Sequence, residues 1–400
     1  EITEVVSGAQ RAAADGTVSS EMVAADTGFA LDLYRELTAS APDDDLVFSP
    51  YSVSVALSMT LAGSDGDTRA QIAEVLGVHD ETTWHLGRNT LDQALAAPRQ
   101  APDDLQPLEL SMVNSVWGQV GYPFDGTYLD VMAESYGAGL RTVDFVEEPE
   151  PTRVAVNEWV EEATEGRIDD LIPPDTFDEL TRLVLVNAIS FKANWISQFD
   201  PRDTRDASFT TSTGNTATVP MMSTEIRTLY ADGDGWAATR LPYAGGASMI
   251  VIAPAEGTLP EFVAELDGAR LDEITSSLSD HMVDLQMPRF EISSDIDLVE
   301  PLKALGIVDA FEKPTADSGA DLTRMTEERE LYVSDALQKA DITVDEEGTE
   351  AAAATAMIVG IVSAPPRADL TLDRPFVFVI QDDATGSILF IGHVTNPSDG

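Results

Sequence analysis

The sequence predicts a single α+β domain. Helical periodicity is concentrated in the first half of the chain and strand-like apolar runs in the second, and no linker long enough to divide the 400 residues interrupts them. A chain of this length can bury a deep core, and 43% hydrophobic residues is ordinary for a globular protein.

In chain order, residues 1–20 are rich in Ala, Ser and Gly and read as a flexible lead-in, leaving 21–400 as the folded domain. Apolar residues recur at helical spacing over Ala25–Leu37, Val53–Ala62, Asp67–Leu76 and Val154–Thr164. Runs rich in Val, Ile and Phe predict strands over Arg182–Phe191, Ala247–Ile252, Phe376–Ile380 and Ser387–His393. Between the last two, Asp382-Asp383-Ala384-Thr385-Gly386 reads as a hairpin turn.

Charge is the unusual feature. Lys and Arg total 23 against 71 Asp and Glu, a formal charge of −48, and lysine occurs only at Lys192, Lys303, Lys313 and Lys339. Acidic runs such as Asp43-Asp44-Asp45 and Glu161-Glu162 are spread along the chain instead of gathering in a disordered tail. So much like charge strains a compact state at low ionic strength, whereas the screening length falls to about 3 Å in 1 M salt. The composition therefore reads as that of a halophile's protein, an ordinary acidic protein being the alternative. Nucleic acid and anionic membrane are excluded as partners on electrostatic grounds, and no apolar run approaches the roughly 20 residues of a membrane span.

Chemistry-bearing motifs are scarce. The absence of cysteine excludes disulfides and thiolate catalysis. None of His79, His85, His281 and His393 lies in an HExxH motif, and neither a GxSxG elbow nor a phosphate-binding GxxxxGK[ST] loop occurs. Asp232-Gly233-Asp234-Gly235 resembles part of a calcium loop but lacks its third acidic position and closing Glu, so it reads as a turn. No catalytic residues, metal or cofactor are expected.

One segment stands apart: Glu346-Glu347-Gly348-Thr349-Glu350-Ala351-Ala352-Ala353-Ala354-Thr355. By propensity it would be a short helix or a linker. It resembles the hinge of inhibitory serpins, and other segments match that family in order: Phe48-Ser49-Pro50-Tyr51-Ser52, Asn187-Ala188-Ile189-Ser190-Phe191-Lys192 with Trp195, Met287-Pro288-Arg289-Phe290, Arg374-Pro375-Phe376 and Gly386 to Gly392. The matches run from about Thr27 to Pro397.

The resemblance implies helices around a large central mixed sheet with two smaller sheets and an exposed reactive loop, about residues 346–368. It implies suicide inhibition: a serine protease cuts the loop, an acyl-enzyme forms, and the loop enters the central sheet as a strand before hydrolysis completes. The partner is then a serine protease in a covalent 1:1 complex, and the chain a monomer. Counting fourteen residues from Gly348 puts the reactive bond at Val362–Ser363, with Ile361 and Ala364 the nearest alternatives and Arg367 too far along. A valine there suits elastase-like or subtilisin-like enzymes. Thr349, Ala351, Ala353 and Thr355 would share one face of the inserted strand and are small enough to enter a core. Such an insertion would add roughly 10 ladder hydrogen bonds at about 1 kcal/mol each.

Residues expected to control insertion are Trp195, Arg289 paired with Glu346, and a polar cluster in which Gln338 bridges Ser49, Ser52 and Asn187. Gln338 stands where many serpins carry a histidine, so this cluster cannot titrate near neutral pH. Asp341 takes a place usually apolar in the family, and is expected either to be solvated or to weaken its strand. A non-inhibitory serpin, acting as a carrier or folding assistant, is the alternative, and a hydrolase a third. The chain begins at Glu1 without a basic-then-apolar leader, so any targeting segment is expected to have been removed. An extracellular or cell-surface location is expected, with cytoplasmic as the alternative.

If the carboxylate excess is an adaptation to salt, the melting temperature should climb between low and molar salt. A melting temperature that stays constant over that range would remove the halophile reading.

Overall fold

Helices, most of them from the first half of the chain, surround two large sheets. The computed structural model describes residues 2–14, 16–164, 166–315, 318–349 and 365–398. The helices are α1 (Ser20–Ser40), α2 (Pro50–Gly63), α3 (Gly66–Leu76), α4 (Glu81–Leu95), α5 (Gly126–Val131), α6 (Pro149–Ala163), α7 (Leu259–Ala264), α8 (Gly268–Ser277) and α9 (Val299–Leu305). Across the first sheet lie β1 (Thr3–Val5), β4 (Leu140–Val143), β3 (Glu109–Gln119), β5 (Leu183–Asn194), β13 (Gly348–Thr349), β12 (Val333–Val344) and β11 (Phe290–Asp297). The second runs β14 (Arg367–Thr371), β10 (Ser279–Pro288), β7 (Thr216–Gly233), β8 (Trp236–Tyr243), β9 (Ala247–Pro254), β15 (Phe376–Asp382), β16 (Ile388–Val394) and β2 (Leu46–Phe48), with β6 (Arg205–Thr210) on one end of β7.

The two smaller sheets expected from the resemblance are one continuous ladder here. The cause is β7, 18 residues long, which outlasts each of its neighbours. It pairs with β6 through Thr216–Met221, with β10 through Met221–Tyr230 and with β8 through Leu229–Gly233. The Asp234-Gly235 pair makes the turn from β7 to β8, as its sequence suggests.

Every residue of α2 is buried, which follows from its small and apolar sequence. Its start is fixed by Pro50 in the first turn and by the Ser49 hydroxyl, which accepts from Ser52 N at 3.3 Å. Helix α2 lies on the inner face of the first sheet and α6 on the outer. Strand β5 is therefore covered on both sides and reads as an almost unbroken apolar run. Its Leu183, Leu185, Ile189 and Phe191 join the main core, while Val184, Val186 and Ala188 pack with Val156 and Val160 of α6.

The leading segment, expected to be flexible, contributes a strand. Thr3–Val5 pairs antiparallel with β4, whose outer edge would otherwise expose unpaired backbone groups. Arg11 Nε then donates to Asn89 on α4 at 2.9 Å, and Ala12 N to Glu134 O at 2.9 Å. The expected helices all form, with α1 and α6 starting earlier than the apolar spacing indicates. Ser19 caps α1, and a proline at the start of α6 needs no hydrogen-bond acceptor. Among the described residues no helix is long and apolar enough to cross a membrane.

Candidate functional site

Strands β5 and β12 are parallel neighbours in the middle of the first sheet, paired from Leu183 with Val333 up to Ile189 with Ala340. Above that point they part. Strand β13 lies in the gap antiparallel to both, with Gly348 opposite Asn194 and Thr349 opposite both Ala193 and Val344. The seam between the two long strands is thus closed below and already occupied by hinge residues above.

A tight turn at Asp345 aims the hinge into that gap. Its carboxylate accepts from Glu347 N at 2.8 Å and Gly348 N at 3.2 Å. Only glycine fits at 348, where φ is 151° and an added Cβ would lie 2.1 Å from Ala193 O. Thr349 is buried, and its hydroxyl shares a 2.8 Å hydrogen bond with Tyr243 Oη. Burial pushes the Tyr243 phenol up, so it stays neutral. Trp195 stacks on the Tyr243 ring at 4.1 Å, donates from Nε1 to Asp345 O at 3.0 Å, and gives its backbone N–H to Glu347 O at 2.9 Å. It is a core aromatic and a hinge contact at once.

Glu346 and Arg289 meet as expected, and the pair is stronger than a surface contact. The carboxylate is 3% exposed and receives Arg289 Nε at 2.7 Å and a terminal nitrogen at 2.5 Å, with a further hydrogen bond from Thr204. Burial alone would raise the Glu346 carboxyl, but the hydrogen bonds from Arg289 and Thr204 outweigh it and hold the group below its ordinary value.

The polar cluster lies beneath the closed part of the seam. Gln338 Oε1 accepts from Ser49 N at 2.9 Å, and its Nε2 donates to Ser49 O at 3.0 Å and to Asn187 Oδ1 at 2.5 Å. The last bond crosses directly from β12 to β5. Ser52 is not reached by Gln338; its backbone N–H turns to the Ser49 hydroxyl because both sit in the first turn of α2. Asn114, across β3, joins the cluster by accepting from Asn187. Asp341 is half-buried, opposite Ser293 on β11.

Several participants carry no local sequence signal: Thr204, Tyr243 and Asn114 are single polar residues far in sequence from their partners. Of the expected hinge, Glu350, Ala351, Ala352, Ala353, Ala354 and Thr355 lie outside the described residues, as do Val362 and Ser363 of the expected reactive bond.

In this geometry a two-residue strand, Gly348–Thr349, already lies between two long parallel strands of a central sheet. A family model described as Serpin (serine protease inhibitor) matches residues 24–397. The leukocyte elastase inhibitor of Sus scrofa is 37% identical over 387 residues, covering 94% of this chain and 100% of the relative. Antithrombin-III of Mus musculus is 36% identical, over 94% of this chain and 82% of the relative. Among solved structures, the thermophilic serpin tengpin in its native state superposes with a TM-score of 0.84 at 26% identity, over 97% of both chains. Thyroxine-binding globulin in complex with thyroxine gives 0.82 at 30% identity, over 94% of this chain and 99% of the other. The chain belongs to the serpin family.

A carboxyl depressed in the folded state contributes stability that is complete above its unfolded value of about 4.5 and is lost as pH falls through the lower folded one. The hinge should therefore stay docked from neutral pH down to about 4.5 and release below it. Arg289→Met removes the main downward pull and leaves burial, so release should move up in pH. Amide exchange at Gly348, corrected for intrinsic rate, checks this. Equal release pH in both proteins would contradict it.

Proposed function

We propose that the chain inhibits serine proteases by offering a loop for cleavage and then inserting it into the first sheet. The observation that supports this best is the register of β13. Continued downward, that register would bring Ala351 opposite Phe191, Ala353 opposite Ile189 and Ala340, Thr355 opposite Asn187 and Gln338, and Val359 opposite Leu183. Small side chains would thus pass the upper core, and a hydroxyl would arrive where the Gln338–Asn187 bond now closes the seam.

The strand would reach the foot of β5 at Val359, leaving Gly360, Ile361 and Val362 to extend past it. That supports Val362–Ser363 as the reactive bond and an elastase-like or subtilisin-like target. Arg367 is a poor candidate because it already pairs with Met282 in β14 and bonds Glu225 at 3.0 Å.

Insertion would exchange one parallel seam for two antiparallel ladders. Parallel pairing is slightly the less stable per residue, so the exchange runs downhill. The existing seam must be given up, which leaves a net gain of about one ladder, on the order of 10 kcal/mol. The uncut state is then held kinetically. Cleavage separates the strand from the tether at β14 and frees it to move. The trapped protease would stay bound covalently, one per inhibitor monomer.

The carrier alternative draws support from thyroxine-binding globulin, a structural relative solved with a small molecule. The small hinge side chains favour inhibition. The carboxylate excess supports an acidic, salt-adapted surface, and an extracellular or cell-surface site of action fits an encounter with foreign proteases.

Incubation with a panel of serine proteases tests the proposal. Inhibition gives a detergent-resistant 1:1 complex and, by mass spectrometry, a cut within residues 360–365. Clean cleavage without any complex, or a cut after Arg367, would count against it. Thr349→Arg forces a long charged side chain into the buried position beside Tyr243. It should turn the inhibitor into a substrate cut at the same bond, with complex yield falling at least about tenfold for a penalty above about 1.4 kcal/mol. Undiminished complex with Thr349→Arg would sink the insertion model.

A further inference from the structure

Nothing in the local sequence marks Asn194, yet three other chain segments converge on it. It ends β5, is 1% exposed, and lies opposite Gly348. Its Nδ2 donates to Glu347 O at 3.2 Å, and its Oδ1 accepts from Gln106 N at 2.7 Å. Its backbone carbonyl accepts from Ala244 N, just after β8, at 2.8 Å.

The two side-chain partners fix the amide's orientation. A backbone N–H can only donate and a carbonyl can only accept, so a flipped amide would set donor against donor and acceptor against acceptor. The segment between α4 and β3 that supplies Gln106 is itself pinned. Arg99 donates to Gly245 O at 3.1 Å and Asp382 Oδ2 at 2.6 Å, and Leu108 N donates to Ala244 O at 2.9 Å. Trp195 N and Gln198 Nε2 reach the same Glu347 carbonyl at 2.9 and 3.1 Å. Of these three donors, Asn194 is the one held from its far side by Gln106.

We infer that Asn194 is a positioning residue for loop insertion: its amide, oriented by Gln106, holds the Glu347 carbonyl so that Gly348 and Thr349 meet the sheet in register. This role rests on the inhibitory mechanism proposed above. Insertion races against hydrolysis of the acyl-enzyme, so a hinge held in register shortens the first step of that race. Asn194 touches neither the reactive bond nor the protease; it acts through Glu347.

Asn194→Asp separates the two contacts. It keeps an oxygen for Gln106 N–H and puts a second oxygen against the Glu347 carbonyl. The moles of inhibitor consumed per protease inactivated should rise severalfold, with the rate of the initial cut unchanged. Amide protection should fall at Gly348 and Thr349 and persist along Leu183–Ile189. Gln106→Pro, at an exposed position already followed by Pro107, deletes the orienting N–H together with the side chain and should shift the stoichiometry in the same direction by less. Wild-type stoichiometry in both variants would overturn the role while leaving the mechanism standing. Loss of protection along Leu183–Ile189 in Asn194→Asp would also overturn it, because Asn194 would then be a general stability residue. A wild-type chain that forms no covalent complex removes the mechanism and this role together.

Discussion

The fold turns on a parallel contact between β5 and β12, strands separated by more than a hundred residues of chain. Their neighbours β3 and β11 are antiparallel to them, so a strand entering the seam can be antiparallel on both sides; the other parallel contact among the described strands of this sheet, β3 with β4, is short and lies toward its edge. Its lower half is shut by backbone pairing, by α6 on the outer face, and by Gln338 reaching across to Asn187 beneath. Its upper half is open and holds two residues of the hinge. Each bond closing the seam is an ordinary one, so under the proposed mechanism the barrier to insertion would be the sum of many modest contacts.

The hinge is docked by groups gathered from distant parts of the chain. Glu346 is drawn to Arg289 and Thr204, its neighbour Glu347 presents a carbonyl to three donors, and Thr349 meets Tyr243 behind the sheet. None of these contacts lies deep in the seam. They set the direction and register of Gly348 and Thr349, and in the proposed insertion the rest would fall to backbone pairing. The neutral Gln338 leaves the middle of the seam without a titrating group, whereas Glu346 stands at its top and Asp335, opposite Val184 at its foot, has a carboxyl that burial pushes up to about 6.

How much of this was legible in the sequence depended on range. Helix α2 could be read because its apolar run, its Pro50 and its Ser49 cap are contiguous. Strand β5 could be read because burial on both faces demands an unbroken apolar run. The hinge and its partner Arg289 were legible through motif order. Strand β7 was not, because its Thr- and Ser-rich alternation includes Pro220 and one face is largely exposed. Thr3–Val5 was not, because a strand at a sheet edge needs little apolar surface. Asn194, Thr204 and Tyr243 are single polar residues whose roles arise only when the sheet brings the hinge to them. The resemblance placed Ser52 among the partners of Gln338, whereas in the structure its backbone N–H bonds the Ser49 hydroxyl at the start of α2.

The central claim is that the uncut chain is held in a state less stable than the one its own loop could form. Calorimetry on uncut protein and on protein nicked once in the loop, in the same buffer, tests it most directly. One extra ladder, on the order of 10 kcal/mol, should raise the melting temperature of the nicked chain by roughly 10 °C or more. A nicked chain that melts at or below the temperature of the uncut one would contradict the account.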